Sequence, residues 1–285
     1  AVDTKRLSQV MGKWGNDLSL PVVQREFEWE SDRILKLVDS IVRDYPIGAV
    51  ILWESSEKFP SSPLIDSDQN GTKMTTRTYV IDGQQRLTAL LLIRNMWKIK
   101  REKRPITCEP ISYNPANRRF YISEKNGIDI SLLVNASLGS AEALETLKEK
   151  FSTDYRAAID AIGAKIVDYP LPVYVLKTKH KITGKEDIAT EIAEIFTRIN
   201  SAGIPLGNIQ LFLSFFAAPF ADLKRDMVDK YYEINQKYKQ EFPSWEVVNR
   251  FFFSNLGMTQ NQITRIDSFR NGIRSLRNEY SNNLT

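Results

Sequence analysis

Arg77-Thr78-Tyr79-Val80-Ile81-Asp82-Gly83-Gln84-Gln85-Arg86-Leu87-Thr88 holds the transition on which the reading of this chain turns. Residues 77–81 are rich in β-branched and aromatic side chains, the composition of a buried strand. From Gln84 to Lys98 the pattern is helical, with Leu87, Leu90, Leu91 and Trp97 as core contacts. Asp82-Gly83 must form the turn, and glycine there lets a ligand approach the backbone closely. A helix that starts directly after a strand presents unpaired N–H groups and a positive dipole end, which together attract anions. Arg86 lies in the first turn and can grip a phosphate through two donors. Asp82 suits a magnesium ion or a ribose hydroxyl, and Gln84 or Gln85 can orient a water. A purely structural reading also exists, with Asp82 capping the helix and Arg86 paired to a surface carboxylate. Two glutamines and an arginine in one turn after an apolar strand favour the phosphate site.

Working outward, residues 5–14 read as a short helix ended near Gly15-Asn16, and residues 18–23 as an extended segment with Pro21 at an edge or bend. Ser31 is the expected N-cap of a helix whose apolar residues Ile34, Leu37, Val38, Ile41 and Val42 recur at helical spacing. Tyr45-Pro46-Ile47-Gly48 ends it, and residues 49–53 form a buried strand. Residues 58–76 are a polar surface loop. Lys98, Lys100, Arg101, Lys103 and Arg104 close the helix that begins at Gln84. Cations are favoured there by the helix dipole, and the same run suits DNA phosphates. Residues 118–123 read as a strand, 132–167 as a mostly helical cover or insertion, and 171–176 as a strand again. From Glu186 onward the pattern is almost wholly helical. The expected class is α+β, a mixed α/β core followed by a mainly helical C-terminal region. The expected domains are 1–205, with a helical insertion at about 125–168, and 206–285.

The bulk numbers set limits on function. A chain of 285 residues, 42% hydrophobic and 26% charged, can bury a sizeable core. A net charge of +4 permits a nucleic-acid partner without demanding one. The single cysteine, Cys108, excludes an internal disulfide and fits a reducing compartment. It reads as a small buried thiol rather than a nucleophile. The single histidine, His180, sits among lysines and excludes zinc sites and nuclease centres that need several histidines. No stretch reaches the roughly eighteen apolar residues of a membrane span, and no signal peptide is evident, so a cytoplasmic protein is expected. The sequence is compatible with being one piece of a longer protein.

Two more segments carry polar groups of interest. In Gln24-Arg25-Glu26-Phe27-Glu28-Trp29, Arg25 can reach a phosphate from an opposite wall, while the aromatics suit either core or base stacking. In Phe196-Thr197-Arg198-Ile199-Asn200-Ser201-Ala202-Gly203, Arg198 and Asn200 suit either a helix C-cap or donors aimed into a cleft. Taken in order, five elements carry a resemblance. They are Leu20-Pro21 with Gln24-Arg25 and Trp29; Pro46-Ile47-Gly48 with Leu52-Trp53; Asp82 to Arg86 with Leu87-Thr88; Tyr113-Asn114-Pro115 with Arg119-Phe120; and Arg198-Ile199-Asn200-Ser201 with Gly203. Over residues 20–213 the sequence resembles the GmrSD-type restriction endonuclease N-terminal domain family.

That resemblance implies a fold similar to ParB and sulfiredoxin, and a role in bacterial defence against phage or foreign DNA. It implies that Asp82, Gly83, Gln84, Gln85 and Arg86 bind and hydrolyse a nucleoside triphosphate, GTP or ATP. Asp82 would hold magnesium, and Gln24, Arg25, Arg198 and Asn200 would be cleft partners. The implied partners are DNA, modified in some cases, and a nuclease domain or subunit elsewhere; a homo-oligomer is left open and no membrane is involved. Val23 departs from the pattern, standing where the family usually has an aromatic residue. No cysteine lies in the turn, which excludes sulfiredoxin chemistry. With His180 alone, no HNH nuclease is encoded here; it is lost, on another chain, or outside this sequence.

Two alternatives stand beside hydrolysis. One is a DNA-binding sensor using Lys98, Lys100, Arg101, Lys103 and Arg104, with Arg265, Arg270, Arg274 and Arg277. The other is an interaction module docking a partner through the helical tail, whose aromatics include Tyr231, Tyr232, Trp245 and Phe251. Direct two-metal cleavage finds little support, since Asp66 and Asp68 lie in a polar loop before the strand that ends at Asp82.

Overall fold

A computed structural model of the chain describes residues 2–12, 17–21, 24, 26–55, 61–66, 77–124, 127–151 and 154–177. The chain divides into two compact units, Ala1–Pro21 with Glu26–Lys179, and Val22–Arg25 with His180–Thr285. Of the second, only Gln24 is described, so Arg25, Arg198, Asn200, His180, the C-terminal arginines and the aromatic tail lie outside the described residues.

The first unit is built on a six-stranded mixed sheet. Its strands are β1 (Val2–Arg6), β2 (Leu18–Pro21), β3 (Val50–Ser55), β4 (Ser61–Pro63), β5 (Arg77–Asp82) and β11 (Pro170–Lys177), in the order β1-β11-β3-β5-β2-β4. The β11–β3 and β2–β5 pairs are parallel, and β1–β11, β3–β5 and β2–β4 are antiparallel. A sheet mixed in this way, with helices packed on it, is the α+β architecture that the pattern predicts. Two smaller sheets come after β5: the hairpin β6 (Lys98–Arg101) with β7 (Arg104–Thr107), and β8 (Ile111–Asn114), β9 (Arg119–Ile122) and β10 (Ile128–Asp129) in the order β10-β8-β9.

The described helices are α1 (Leu7–Val10), α2 (Ser31–Val42), α3 (Gln84–Arg94), α4 (Ile130–Ser137), α5 (Ala141–Lys150), α6 (Asp154–Ala158) and α7 (Ala164–Asp168). A π-helical turn, Ile159–Gly163, joins α6 to α7. Helix α2 buries Ile34, Leu37, Val38 and Ile41, the stripe read from its spacing. Helix α3 is different: Leu87, Thr88, Ala89, Leu90, Leu91, Leu92 and Ile93 are all buried, so it has almost no solvent face. A helix apolar all round must run through the core. The core gathers α3 with Val50, Leu52 and Val80 of the sheet, Ile34 and Val38 of α2, and Leu133 and Ile166 of the helical segment 130–168.

Several local expectations are corrected. Residues 2–10 form a strand followed by one helical turn, not a helix over 5–14, because β1 pairs along its length with β11. Ser31 is the first helical residue rather than the cap; Glu30 takes that place, and Ser31 Oγ donates instead to Glu109 O at 3.1 Å. Helix α3 stops at Arg94, and Met96 and Trp97 then adopt left-handed φ of 52° and 66°. The cationic run 98–104 is therefore a hairpin and not a helix end, and the dipole explanation of its charge does not apply. Arg101 is turned inward, because alternate residues of a strand face opposite ways. Residues 61–63, within the expected loop, pair with β2 as an edge strand. Among the described residues, no helix is long and apolar enough to cross a membrane.

The packing of the helical segment rests on one glycine. A Cβ on Gly163 would overlap Ser137 Oγ and lie 2.5 Å from Leu133 O, a backbone atom of α4. Gly163→Ala should destabilise the first unit by about 1–3 kcal/mol through overpacking, read as a lower melting temperature.

Candidate functional site

The strand-to-helix turn forms as the sequence predicts, and its geometry arises from three constraints. The first is steric. Gly83 caps α3 with φ +94°, and a Cβ there would lie 2.8 Å from Val50 Cγ2. Only glycine meets both the left-handed backbone and the contact with β3. The second is a register shift between β3 and β5. Ile51 pairs with Asp82 while Leu52 pairs with Val80, leaving Ile81 as the extra residue of a bulge just before the turn. A bulge bends its strand and re-aims the residues beyond it. The third is the burial of α3, which obliges its polar side chains to find partners inside the protein.

Those partners are mostly backbone. Arg86 donates from Nη1 to Ile47 O at 2.8 Å and from Nη2 to Asp82 Oδ2 at 3.1 Å. Its side chain is 15% exposed, whereas that of Asp82 is 46% exposed. Gly48, at φ +83°, leaves room for the guanidinium: a Cβ there would lie 2.6 Å from Arg86 Nη1. Gln85 Nε2 donates to Glu26 O at 2.8 Å, and Gln85 Oε1 accepts the Glu28 N–H at 3.0 Å. One side-chain amide thus imitates a neighbouring strand and clamps the 26–28 loop to α3. The same Nε2 lies 3.2 Å from Gln84 Oε1, and both glutamines are buried.

One turn further on, Thr88 Oγ1 accepts from Arg101 Nη2 at 2.8 Å, while Arg101 Nε donates to Leu64 O at 2.9 Å. Arg101 is 5% exposed, and its Nη1 has no hydrogen-bond partner among the described residues. Burial lowers its pKa to about 10, partly offset by the negative charges of Glu26, Glu102 and Asp66. It still carries its charge at neutral pH. Asp66 is equally committed, its carboxylate accepting the Glu102 N–H at 2.9 Å and the Lys103 N–H at 2.7 Å at the tip of the β6–β7 hairpin.

The residues read as candidates therefore separate. Asp82, Gly83, Gln84, Gln85 and Arg86 form one continuous turn in which the Asp82 carboxylate is the most exposed functional group. Lys98, Lys100 and Lys103 lie exposed on the hairpin, Arg104 is partly buried, and Arg101 is inside. Gln24 is partly buried in the second unit. Cys108 Sγ lies 2.9 Å from Ser31 Oγ, and burial pushes the thiol up, away from the reactive thiolate. Among the described residues, no group of three or more His, Cys, Asp or Glu side chains comes together to hold a metal. Sequence reasoning misses Ile47 and the 26–28 backbone, because a carbonyl or an amide carries no residue signature.

Comparison with known proteins gives the chain a family. The family model for the GmrSD restriction endonuclease N-terminal domain matches residues 7–217. An uncharacterised protein of Methanocaldococcus jannaschii, MJ0686, is 24% identical over 241 residues, which cover 75% of this chain and 42% of that protein. The chain thus spans about two fifths of the length of the curated relative it matches.

Replacing Gln85 by Ala leaves Glu26 O and the Glu28 N–H without their partner. Gln85→Ala should cost about 1–3 kcal/mol in urea unfolding, with faster hydrogen exchange at the Glu28 amide.

Proposed function

Because the chain belongs to the GmrSD restriction endonuclease N-terminal domain family, we propose that it is the nucleotide-handling part of a restriction system directed against foreign DNA. The observation that carries this reading is the exposed Asp82 carboxylate beside the N-terminus of the buried helix α3, with Arg86 fixed 3.1 Å away. In this reading the helix end attracts a phosphate, and the Arg86 guanidinium, directed by Ile47 O and paired with Asp82, lies beside it. Gly83, buried against Val50, fixes the backbone of the turn from which the helix starts. Asp82 is a single solvent-facing carboxylate. That fits a magnesium ion held by one protein oxygen and by the phosphates of GTP or ATP, a mode that needs no cage of protein ligands. Bound magnesium would supply charge neutralisation on those phosphates.

Within this reading the roles of the two glutamines differ. The Gln85 amide is engaged by Glu26 and Glu28, so it serves the shape of the site rather than a water. Gln84 is buried too, and its Oε1 accepts from Gln85 Nε2 at 3.2 Å, so a part for it in orienting the attacking water rests on the family resemblance. Gln24, Arg25, Arg198 and Asn200 remain candidates for nucleotide contact on the family resemblance alone. Cleavage of DNA is assigned to a nuclease domain or subunit beyond this sequence, since His180 cannot by itself form an HNH centre.

A second reading has its own support. The β6–β7 hairpin exposes Lys98 and Lys100 on one face and Lys103 at the tip, and a two-stranded ribbon of this kind fits a nucleic-acid groove.

Two measurements test these readings. Purified protein should bind GTP or ATP with magnesium by calorimetry and release phosphate. Asp82→Asn should abolish release, and Arg86→Ala should weaken binding at least tenfold; no binding and no release with any of the four nucleotides refutes the proposal. For the hairpin, duplex-DNA affinity should fall steeply with salt, and Lys98→Ala with Lys100→Ala should lower the slope by about two. DNA binding with an unchanged slope removes the second reading.

A further inference from the structure

Arg86 is aimed by the carbonyl of Ile47, so the turn bearing that carbonyl must itself be held. After Val42 the chain leaves α2 with Asp44 at φ 57°, and the Asp44 and Tyr45 N–H groups return to Ile41 O and Ser40 O at 3.0 and 2.8 Å. Beyond that point helix α2 gives no support. Pro46 has no N–H to donate. The groups on either side of it meet one side chain from far along the sequence: Tyr169 Oη donates to Tyr45 O at 2.8 Å and accepts the Ile47 N–H at 3.3 Å. Tyr169 is in turn fixed between α7 and β11. Its N–H reaches Ile166 O at 3.4 Å, its carbonyl accepts the Leu7 N–H at 3.1 Å, and its ring is buried.

These contacts join end to end. Tyr169 holds the turn, the turn offers Ile47 O to Arg86, Gly48 clears the space that the guanidinium fills, and Arg86 holds Asp82. Another tie to this segment is weaker. Lys165 Nζ reaches Val42 O at 3.1 Å and Asp44 Oδ2 at 4.0 Å, both upstream of Pro46, and its side chain is 49% exposed. Exposed pairs of this kind contribute little.

We propose that Tyr169 is a positioning residue of the Asp82–Arg86 site, acting through the backbone of the Tyr45–Gly48 turn. Its importance for nucleotides rests on the proposed function above, whereas the relay itself is a property of the protein without ligand. A phosphate site works only if its donors are held to within about half an ångström. A hydroxyl that satisfies two backbone groups at once is a compact way to hold this one.

The test is Tyr169→Phe, which keeps the ring and removes the hydroxyl. Arginine-resolved nitrogen NMR on the full chain, with Arg86 assigned by Arg86→Lys, reads the guanidinium directly. Separate Nη1 and Nη2 signals are expected in the unmutated protein and averaged signals in Tyr169→Phe. Tyr121→Phe, which removes a hydroxyl accepting from Asn117 on the β8–β9 hairpin, should leave them separate. Calorimetry with GTP and with ATP, each with magnesium, should show binding weakened about fivefold, the loss of one ordinary hydrogen bond. Arg86 signals that stay separate in folded Tyr169→Phe overturn the proposal. Averaged signals in that variant support it even if neither nucleotide binds the unmutated protein, in which case only the nucleotide reading falls. Should the variant not fold, hydrogen exchange in the unmutated chain decides. Slow exchange of the Ile47 N–H supports the bond to Tyr169, and exchange at the solvent rate overturns it.

Discussion

The first unit depends on the burial of α3. From Leu87 to Ile93 the helix has no face for water, so it cannot lie on a surface as most helices of a mixed fold do. Everything polar on it must be answered within the protein, since an unanswered buried group costs about 1–3 kcal/mol. Gln85 is answered by the 26–28 backbone, Arg86 by Ile47 and Asp82, and Thr88 by Arg101, which also takes Leu64 O. Three segments distant in sequence are thereby fastened to one helix. At its other end Arg94 donates to Asn135, and Trp97 Nε1 reaches the Asp129 carboxylate at 2.9 Å, where Asp129 also caps α4 through the Ser131 N–H. The helical segment 130–168 is attached through these contacts as well as through apolar packing.

The same constraint lets one short motif serve the architecture and, in the proposed function, the chemistry. Its polar residues are drawn into the interior as struts, and the group left at the surface is the Asp82 carboxylate beside the helix end. A site made this way is rigid, because each group that shapes it is also a group the fold cannot leave unpaired. The β6–β7 hairpin obeys a similar logic with a different outcome. Strand alternation sends Arg101 inward to Thr88 and Leu64, and leaves Lys98 and Lys100 outside, so neighbouring cations of one run have separate fates.

Local composition and period are enough to place the strands β3, β5 and β11, the stripe of α2, the start of α3 and the turn at Gly83. In some other places they mislead, for physical reasons. Val2-Asp3-Thr4-Lys5-Arg6 has no strong pattern of its own; it is a strand because β11 lies beside it. The run 98–104 resembles a helix end because the left-handed turn at Met96-Trp97 carries no glycine to announce it. The interior place of Arg101 is hidden for a related reason, since a cation is rarely buried and nothing local marks the exception.

The sequence by itself determined that a strand must break at Asp82-Gly83 into a helix and that the chain lacks the histidines for several nuclease chemistries, and it made this turn the candidate for an anion site. These depend on residue type and short spacing, which a sequence states directly. Only the tertiary structure decided which groups hold the turn: the Ile47 carbonyl, the Glu26 and Glu28 backbone, and the Tyr169 hydroxyl. Backbone atoms have the same chemistry at every position, and Tyr169 lies 83 residues beyond Arg86, so no local pattern could select them. Folding selected them, because a buried guanidinium and a buried amide must be answered by whatever polar groups the packing brings within reach.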